Sequence, residues 1–327
     1  MNSPSKPDRS SLLELSIDTL LDNSTTDFDL WLETAGGIVL FAPAPYKWDR
    51  SETTRLLADG YKKLLYSTAD TTKVEAYQKI SLIRRPDLNQ APSGRIVGLT
   101  DAAAELTRVL YDHPLSSGAL VKGKEIAADM VTTILEDPTS VVALGKLANH
   151  DYYTYYHSAR VAAYALAIAL HMSARERDLL EAIALGCIFH DVGKSRIDLG
   201  VLNKRGPLTP EEWVLMRQHP VFGEESVRQS MLDHVPREII LHHHEKLDGG
   251  GYPHNLSGRE LLPEVRIAAF ADVFDALTTN RPYQVSRTRF EALDFIKHKM
   301  LHSLDKDAYR AMVEILQMEE KAGKKSS

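Results

Sequence analysis

The sequence predicts a mainly α-helical protein, a helical bundle preceded by a small α+β N-terminal domain. Three observations carry that expectation. Apolar residues recur at helical spacing as Ile126, Met130, Ile134 and Leu135, then Val161, Tyr164, Ala165 and Ile168, then Leu179, Ile183, Gly186 and Cys187. GGIVLFAPAP, residues 36–45, is a short apolar run closed by Pro43 and Pro45, which reads as a strand. RRPDLNQAPSGR, residues 84–95, has two prolines, a glycine and no periodicity, so the domain boundary falls there.

In chain order, residues 1–26 carry Ser, Thr and Asp around one amphipathic patch from Leu12 to Leu21, as in a flexible N-terminal arm or docking helix. Residues 27–90 form a small α+β regulatory or docking domain, without the phosphoacceptor pattern of a receiver. After its strand a helix starts near Ser51, where Thr54 leaves the capping box incomplete, and sets Leu56, Leu57, Tyr61, Leu64 and Leu65 on one side. Residues 91–114 read as linker and connecting helix, 115–318 as the helical domain, and 319–327, which end in KAGKKSS, as a solvated polar tail.

At roughly 100–200 residues per domain, 327 residues make about two domains. Apolar residues at 43% and charged ones at 26% exclude a largely disordered or collagenous chain. Lys+Arg 39 against Asp+Glu 45 gives a net charge of -6, so no overall electrostatic drive toward DNA, RNA or anionic lipid exists. Any phosphate the protein handles must meet a local cluster or a metal. The one cysteine, Cys187, excludes an intramolecular disulfide framework. Glu14 and Asp18 interrupt the N-terminal apolar patch, and no apolar run approaches the ~20 residues of a membrane span, so a cytoplasmic protein without membrane insertion is expected.

Among 13 histidines, five occupy inward phases of the helical stripes. His157 lies four residues before Val161. His190 follows Cys187 by three and Ile183 by seven, and Asp191 follows Cys187 by four. His219 lies four after Leu215, directly before Pro220. His243 and His244 lie four after Ile239 and Ile240 in a helix opened by Pro236, and Asp272 lies four after Ala268 in a helix opened by Pro263. One core histidine is ordinarily satisfied by a carbonyl. Five, with two aspartates, would each cost several kcal/mol if left unpaired in one core. Divalent cations resolve that cost, and a carboxylate can bridge two of them. The absence of cysteines other than Cys187 argues against a structural thiolate zinc site; a His/Asp set suits iron or manganese, with zinc or nickel as in vitro occupants.

The blocks HDVGK at 190–194, MRQHP at 216–220, HHEKLDGGGYP at 243–253 and ADVFDALTTNRPY at 271–283 resemble the HD-GYP family, metal-dependent phosphodiesterases of the HD superfamily that hydrolyse cyclic dinucleotides, chiefly cyclic di-GMP. The resemblance covers residues 115–318 and implies a helical HD-type metallohydrolase bundle. It implies two divalent metal ions, iron first and manganese second. One would be held by His157, His190, Asp191 and Asp272, the other by Asp191, His219, His243 and His244, with Asp191 bridging. A hydroxide between them would attack phosphorus in line with the departing ribose oxygen.

By the same resemblance Lys194 meets a non-bridging phosphate oxygen, Arg281 is a second phosphate contact, Asp275 faces the substrate, and Tyr252 lines the substrate groove or meets partner proteins. Glu245 and Asp248 would brace the loop and hydrogen-bond ligand histidines. Tyr153 stands where three-metal members carry a glutamate, so two metals are expected; Gln284 stands where some members place a further basic residue, so substrate grip is weaker. His242, His254, His171, His150 and His113 match no ligand position. The implied reaction is cyclic di-GMP to pGpG and on to GMP. Its alternatives are hydrolysis of 3′,3′-cGAMP or pGpG, or a low-turnover signalling module that binds nucleotide or a GGDEF-domain partner. A homodimer and a role in bacterial second-messenger signalling complete the expectations.

Overall fold

A computed structural model describes residues 7–87, 89–113, 115–147, 153–204, 206–228, 230, 232–279 and 286–323. The chain forms two compact units, Met1–Ile83 with Leu115–Lys122, and Arg84–Pro114 with Gly123–Ser327.

The first unit contains β1 (Leu12–Ser16), β2 (Thr25–Thr26), β3 (Leu30–Thr34), β4 (Gly37–Ala42), β5 (Tyr46–Lys47), α1 (Arg50–Ala58), β6 (Lys63–Ser67) and α2 (Thr71–Ser81). An antiparallel sheet runs β1-β6-β3-β4, and β2 pairs with β5. Within the segment expected as a flexible arm or docking helix, Leu12–Ser16 is therefore a strand. Leu15 and Ile17 join the core with Phe28, Leu30, Trp48 and Leu64, while Leu12 packs on the opposite face with Trp31 and Leu65. Each fully buried Leu or Ile is worth about 1.5–3 kcal/mol, which holds the segment down. The Tyr77 hydroxyl adds a tie, accepting from the Leu21 N–H at 2.7 Å.

The helix expected from Ser51 starts earlier, capped by Asp49 with Glu52 completing a capping box. It ends at Ala58, because Gly60 takes a positive φ of 86° and turns the chain. Leu64 and Leu65 consequently lie on β6, not on the helix with Leu56.

The second unit holds α3 (Pro92–Asp112), most of α4 (Ser117–Glu136), α5 (Tyr153–His171), α6 (Arg177–Phe189), α7 (Leu199–Leu202), α8 (Pro210–Met216), α9 (His219–Val227), α10 (His234–His242), α11 (Pro263–Thr278), α12 (Arg289–Lys299) and α13 (Lys306–Gly323). Its centre is α5, where every residue of 161–170 is buried. A helix apolar on all sides needs neighbours all round, and α3, α6, α11 and α13 supply them. α10 packs on α6 and α9. Gly186 permits that approach, since a Cβ there would lie 2.9 Å from the Ile239 Cβ. Among the described residues no helix is long and apolar enough to cross a membrane.

Candidate metal centre

The helical unit brings the predicted histidines and aspartates to one pocket. His157 lies in the opening turns of α5, carried inward with Val161. His190 and Asp191 follow α6, and the chain turns at once into a 3₁₀ segment, Val192–Arg196. Gly193 makes that turn workable. A Cβ there would sit 2.0 Å from the His219 carbonyl oxygen and 2.4 Å from the Gly223 nitrogen, so a side chain would push α9 away. His219 is the first residue of α9, and Pro220 stands in the first turn, where its missing N–H breaks no helical bond. His243 and His244 follow α10, and Asp272 and Asp275 lie three residues apart on α11.

Asp191 stands between two groups of imidazoles. Its Oδ2 is 3.3 Å from His190 Nε2, 3.9 Å from His157 Nε2 and 2.6 Å from Lys194 Nζ. Its Oδ1 is 3.3 Å from His219 Nε2 and 3.8 Å from His243 Nε2. Ligand atoms of Asp191, His219, His243 and His244 lie within 4.8 Å of one another, as do those of His157, His190 and Asp191. Asp272 reaches both sides, with Oδ1 3.0 Å from His157 Nε2 and Oδ2 3.6 Å from His244 Nδ1.

The backbone fixes which nitrogen each imidazole presents. His190 Nδ1 donates to the Cys187 carbonyl at 2.7 Å, His219 Nδ1 to the Met216 carbonyl at 2.8 Å, and His243 Nδ1 to the Ile240 carbonyl at 3.0 Å. His157 Nδ1 donates to Asp275 Oδ2 at 2.7 Å. Carbonyl and carboxylate oxygens only accept, so these four rings keep a proton on Nδ1 and turn Nε2 into the pocket. That is the arrangement metal-ligating histidines need.

Asp275 thus departs from expectation. It does not face a substrate: it is fully buried behind His157, and Arg160 Nε and Nη2 also donate to it, at 2.6 and 3.0 Å. One turn of α11 beyond Asp272 points it under the histidine instead of into the pocket. Glu245 and Asp248, expected to hydrogen-bond the histidines, bond loop backbone and none of the five pocket imidazoles. Glu245 accepts from the His254 and Leu256 N–H groups at 2.6 and 3.1 Å, and Asp248 from the Gly250 N–H at 2.9 Å. The local geometry after α10 turns both carboxylates toward loop backbone. Cys187, Met216, Ile240 and Asp275 orient the imidazoles in their place. His242 turns away from the pocket, between Glu238 at 3.0 Å and His254 at 2.9 Å. Arg281, Gln284, His150 and the side chain of Tyr153 lie outside the described residues.

Sequence reading passed over Arg160. Its signal was a lone arginine three residues after His157 in a helix otherwise filled by apolar residues.

Charge distribution fits cation binding. Burial alone would raise Asp191 and Asp272, but His190 and Lys194 beside the first, and His157 beside the second, hold both carboxyls well below the usual range. Burial pushes His219 and His243 down, and His244 down to about 3. His190 goes the other way: burial would lower it, and the Asp191 carboxylate holds it up. Asp191 Oδ1 is buried and accepts no hydrogen bond among the described residues. A buried anionic oxygen in that condition, faced by two imidazole Nε2 atoms, is costly unless a cation stands among them. Nitrogen and carboxylate donors without thiolate suit first-row divalent cations.

Of the five histidines His244 alone is partly exposed, its ring 4.8 Å from that of Tyr252 at 31°. Burial, then the charges of Asp272 and Asp191, push the Tyr252 hydroxyl up.

The family model described as an HD domain matches residues 145–308, half of the chain. A cyclic di-GMP phosphodiesterase of Pseudomonas aeruginosa is 32% identical over 190 residues, 58% of this chain and 45% of that protein. The 3′3′-cGAMP-specific phosphodiesterase 2 of Vibrio cholerae is 30% identical over 254 residues, 77% of this chain and 47% of that one. The chain therefore spans less than half the length of either relative. Among solved structures, Bd1817, an HDG"Y"P protein from Bdellovibrio bacteriovorus, matches 94% of this chain and 99% of its own with a TM-score of 0.61 at 18% identity, a likeness of fold.

Proposed function

The chain belongs to the HD domain family, its HD, HHE and GYP blocks marking the HD-GYP branch, and from that premise we propose that it is a metal-dependent phosphodiesterase that opens cyclic di-GMP to pGpG and cuts on to GMP. The observation that carries this reading is Asp191, whose two oxygens each face a separate set of imidazole Nε2 atoms. Two divalent ions, iron or manganese, would be held by His157, His190, Asp191 and Asp272 on one side and by Asp191, His219, His243 and His244 on the other. When bound, such ions acidify a water and neutralise phosphodiester charge.

The protein's own part is positioning. Four imidazoles are locked by their Nδ1 bonds, so the donor set needs little rearrangement. Lys194, its ammonium beside Asp191 Oδ2 at 2.6 Å and partly exposed, stands where it can meet a phosphate oxygen entering from solvent. Tyr252 forms the pocket wall next to His244.

The test is turnover of cyclic di-GMP by protein loaded with ferrous iron or manganese, products followed by chromatography. pGpG and then GMP are expected; no turnover with either metal contradicts the reading. A second reading, 3′,3′-cGAMP as substrate, draws support from the Vibrio cholerae relative that aligns with 77% of the chain, and the same assay run with that ring compares the two.

A further inference from the structure

Arg217 was assigned no role by the motif that contains it. It is exposed, directly after α8, and its Cζ lies 5.4 Å from the centre of the Tyr252 ring and 6.0 Å from that of Trp213. Tyr252 in turn lies 4.8 Å ring to ring from His244. A row of groups therefore leads from the metal cluster outward: His244, Tyr252, Arg217. Other basic residues of this region are neutralised, Arg196 by Glu225, Lys204 by Glu212, and Arg228 and Arg237 by Glu224. Arg217 has no carboxylate partner among the described residues, and its guanidinium lies over the Tyr252 and Trp213 rings within the reach of a cation–π contact.

We propose that Arg217 holds the second phosphodiester of a cyclic dinucleotide while the first lies at the histidine cluster, so that this residue sets the preference for two-phosphate rings. The inference rests on the phosphodiesterase reading above. A guanidinium seated on aromatic faces keeps its N–H edge outward, and that planar fork matches the two free oxygens of a phosphodiester. A guanine edge offers the same fork two acceptors, but charge-assisted bonds are about twice as strong as neutral ones, so the anion is favoured.

The test uses bis(p-nitrophenyl) phosphate, which has one phosphodiester, as reporter substrate for the manganese-loaded protein. Cyclic di-GMP and cyclic di-AMP serve as competitors, whether or not they are cleaved. Arg217→Ala should raise the inhibition constants of both rings about tenfold, with metal content per chain unchanged, and Arg217→Lys should fall between. Unchanged constants for both overturn the proposal. A rise confined to cyclic di-GMP overturns it too, by placing Arg217 on the base. A wild-type protein that turns over the reporter yet is inhibited by neither ring contradicts the substrate class itself, and the inference with it.

Discussion

Asp275→Ala tests how the centre is supported. Asp275 is fully buried and accepts from His157 Nδ1 at 2.7 Å and from Arg160 Nε and Nη2 at 2.6 and 3.0 Å. Removing it takes the carboxylate from a guanidinium that is itself 2% exposed. Breaking a buried pair from one side costs about 3–5 kcal/mol. For a domain of about 150–250 residues that lowers the melting midpoint by roughly 6–20 °C. His157 simultaneously loses the acceptor that fixes its tautomer, so metal affinity should fall about 10- to 100-fold. Thermal unfolding of the metal-free protein and manganese titration of the folded protein read the two effects separately. Adding Arg160→Met should restore much of the midpoint, because an apolar pair replaces the broken ionic one, but should leave the metal affinity low. An unchanged midpoint with an unchanged titration would refute the reasoning.

Three further outcomes follow from other contacts. Gly193→Ala places a Cβ against the His219 carbonyl and the Gly223 nitrogen, backbone atoms that cannot rotate aside, so α9 must shift and metal binding should be lost even where the chain still folds, as titration of the folded fraction would show. Lys194→Ala should leave metal content intact and lower kcat about 100-fold, the usual worth of one positioned cationic or hydrogen-bond donor; a kcat near wild type removes Lys194 from the reaction. Glu224 is held below its ordinary 4.5 by hydrogen bonds from Arg228 and then Arg237, burial opposing. A depressed carboxyl stabilises the folded state above its ordinary range and loses that contribution as pH falls through its lowered value. The gap in melting midpoint between wild type and Glu224→Gln should thus be present at pH 7 and shrink on acidification below 4.5, and a gap that widened would reverse the sign.

The pocket was legible in the sequence because most of its histidines and Asp191 lie at or just beyond helix ends, at positions fixed by nearby apolar stripes: Cys187 before His190 and Asp191, Ile239 and Ile240 before His243 and His244. Its support was less legible. Whether Asp275 faces solvent or sits under His157 depends on how α11 lies against α5, which no local pattern encodes. Arg160 looked like an ordinary helix arginine for the same reason. Glu245 and Asp248 went to loop backbone because the loop after α10 folds back to bring the His254 and Leu256 N–H groups onto Glu245 and the Gly250 N–H onto Asp248, while the imidazoles are oriented by their own helix carbonyls. In the N-terminal unit, Leu12, Leu15 and Ile17 mimic helical spacing because β1 packs on both faces and then bends into a 3₁₀ turn. Leu64 and Leu65 misled likewise, a two-sided strand read as the continuation of α1. The cap at Asp49 was missed by two residues, since Ser51 is an equally good N-cap by type.

The metal content of wild type and Asp191→Asn, measured side by side by elemental analysis after loading with manganese and gel filtration, bears most directly on the centre. Near two ions per chain are expected in the wild type and almost none in the variant, because one carboxylate serves both groups of imidazoles. A variant that keeps the wild-type content would contradict that shared role, and three ions in the wild type would contradict the inference drawn from Tyr153.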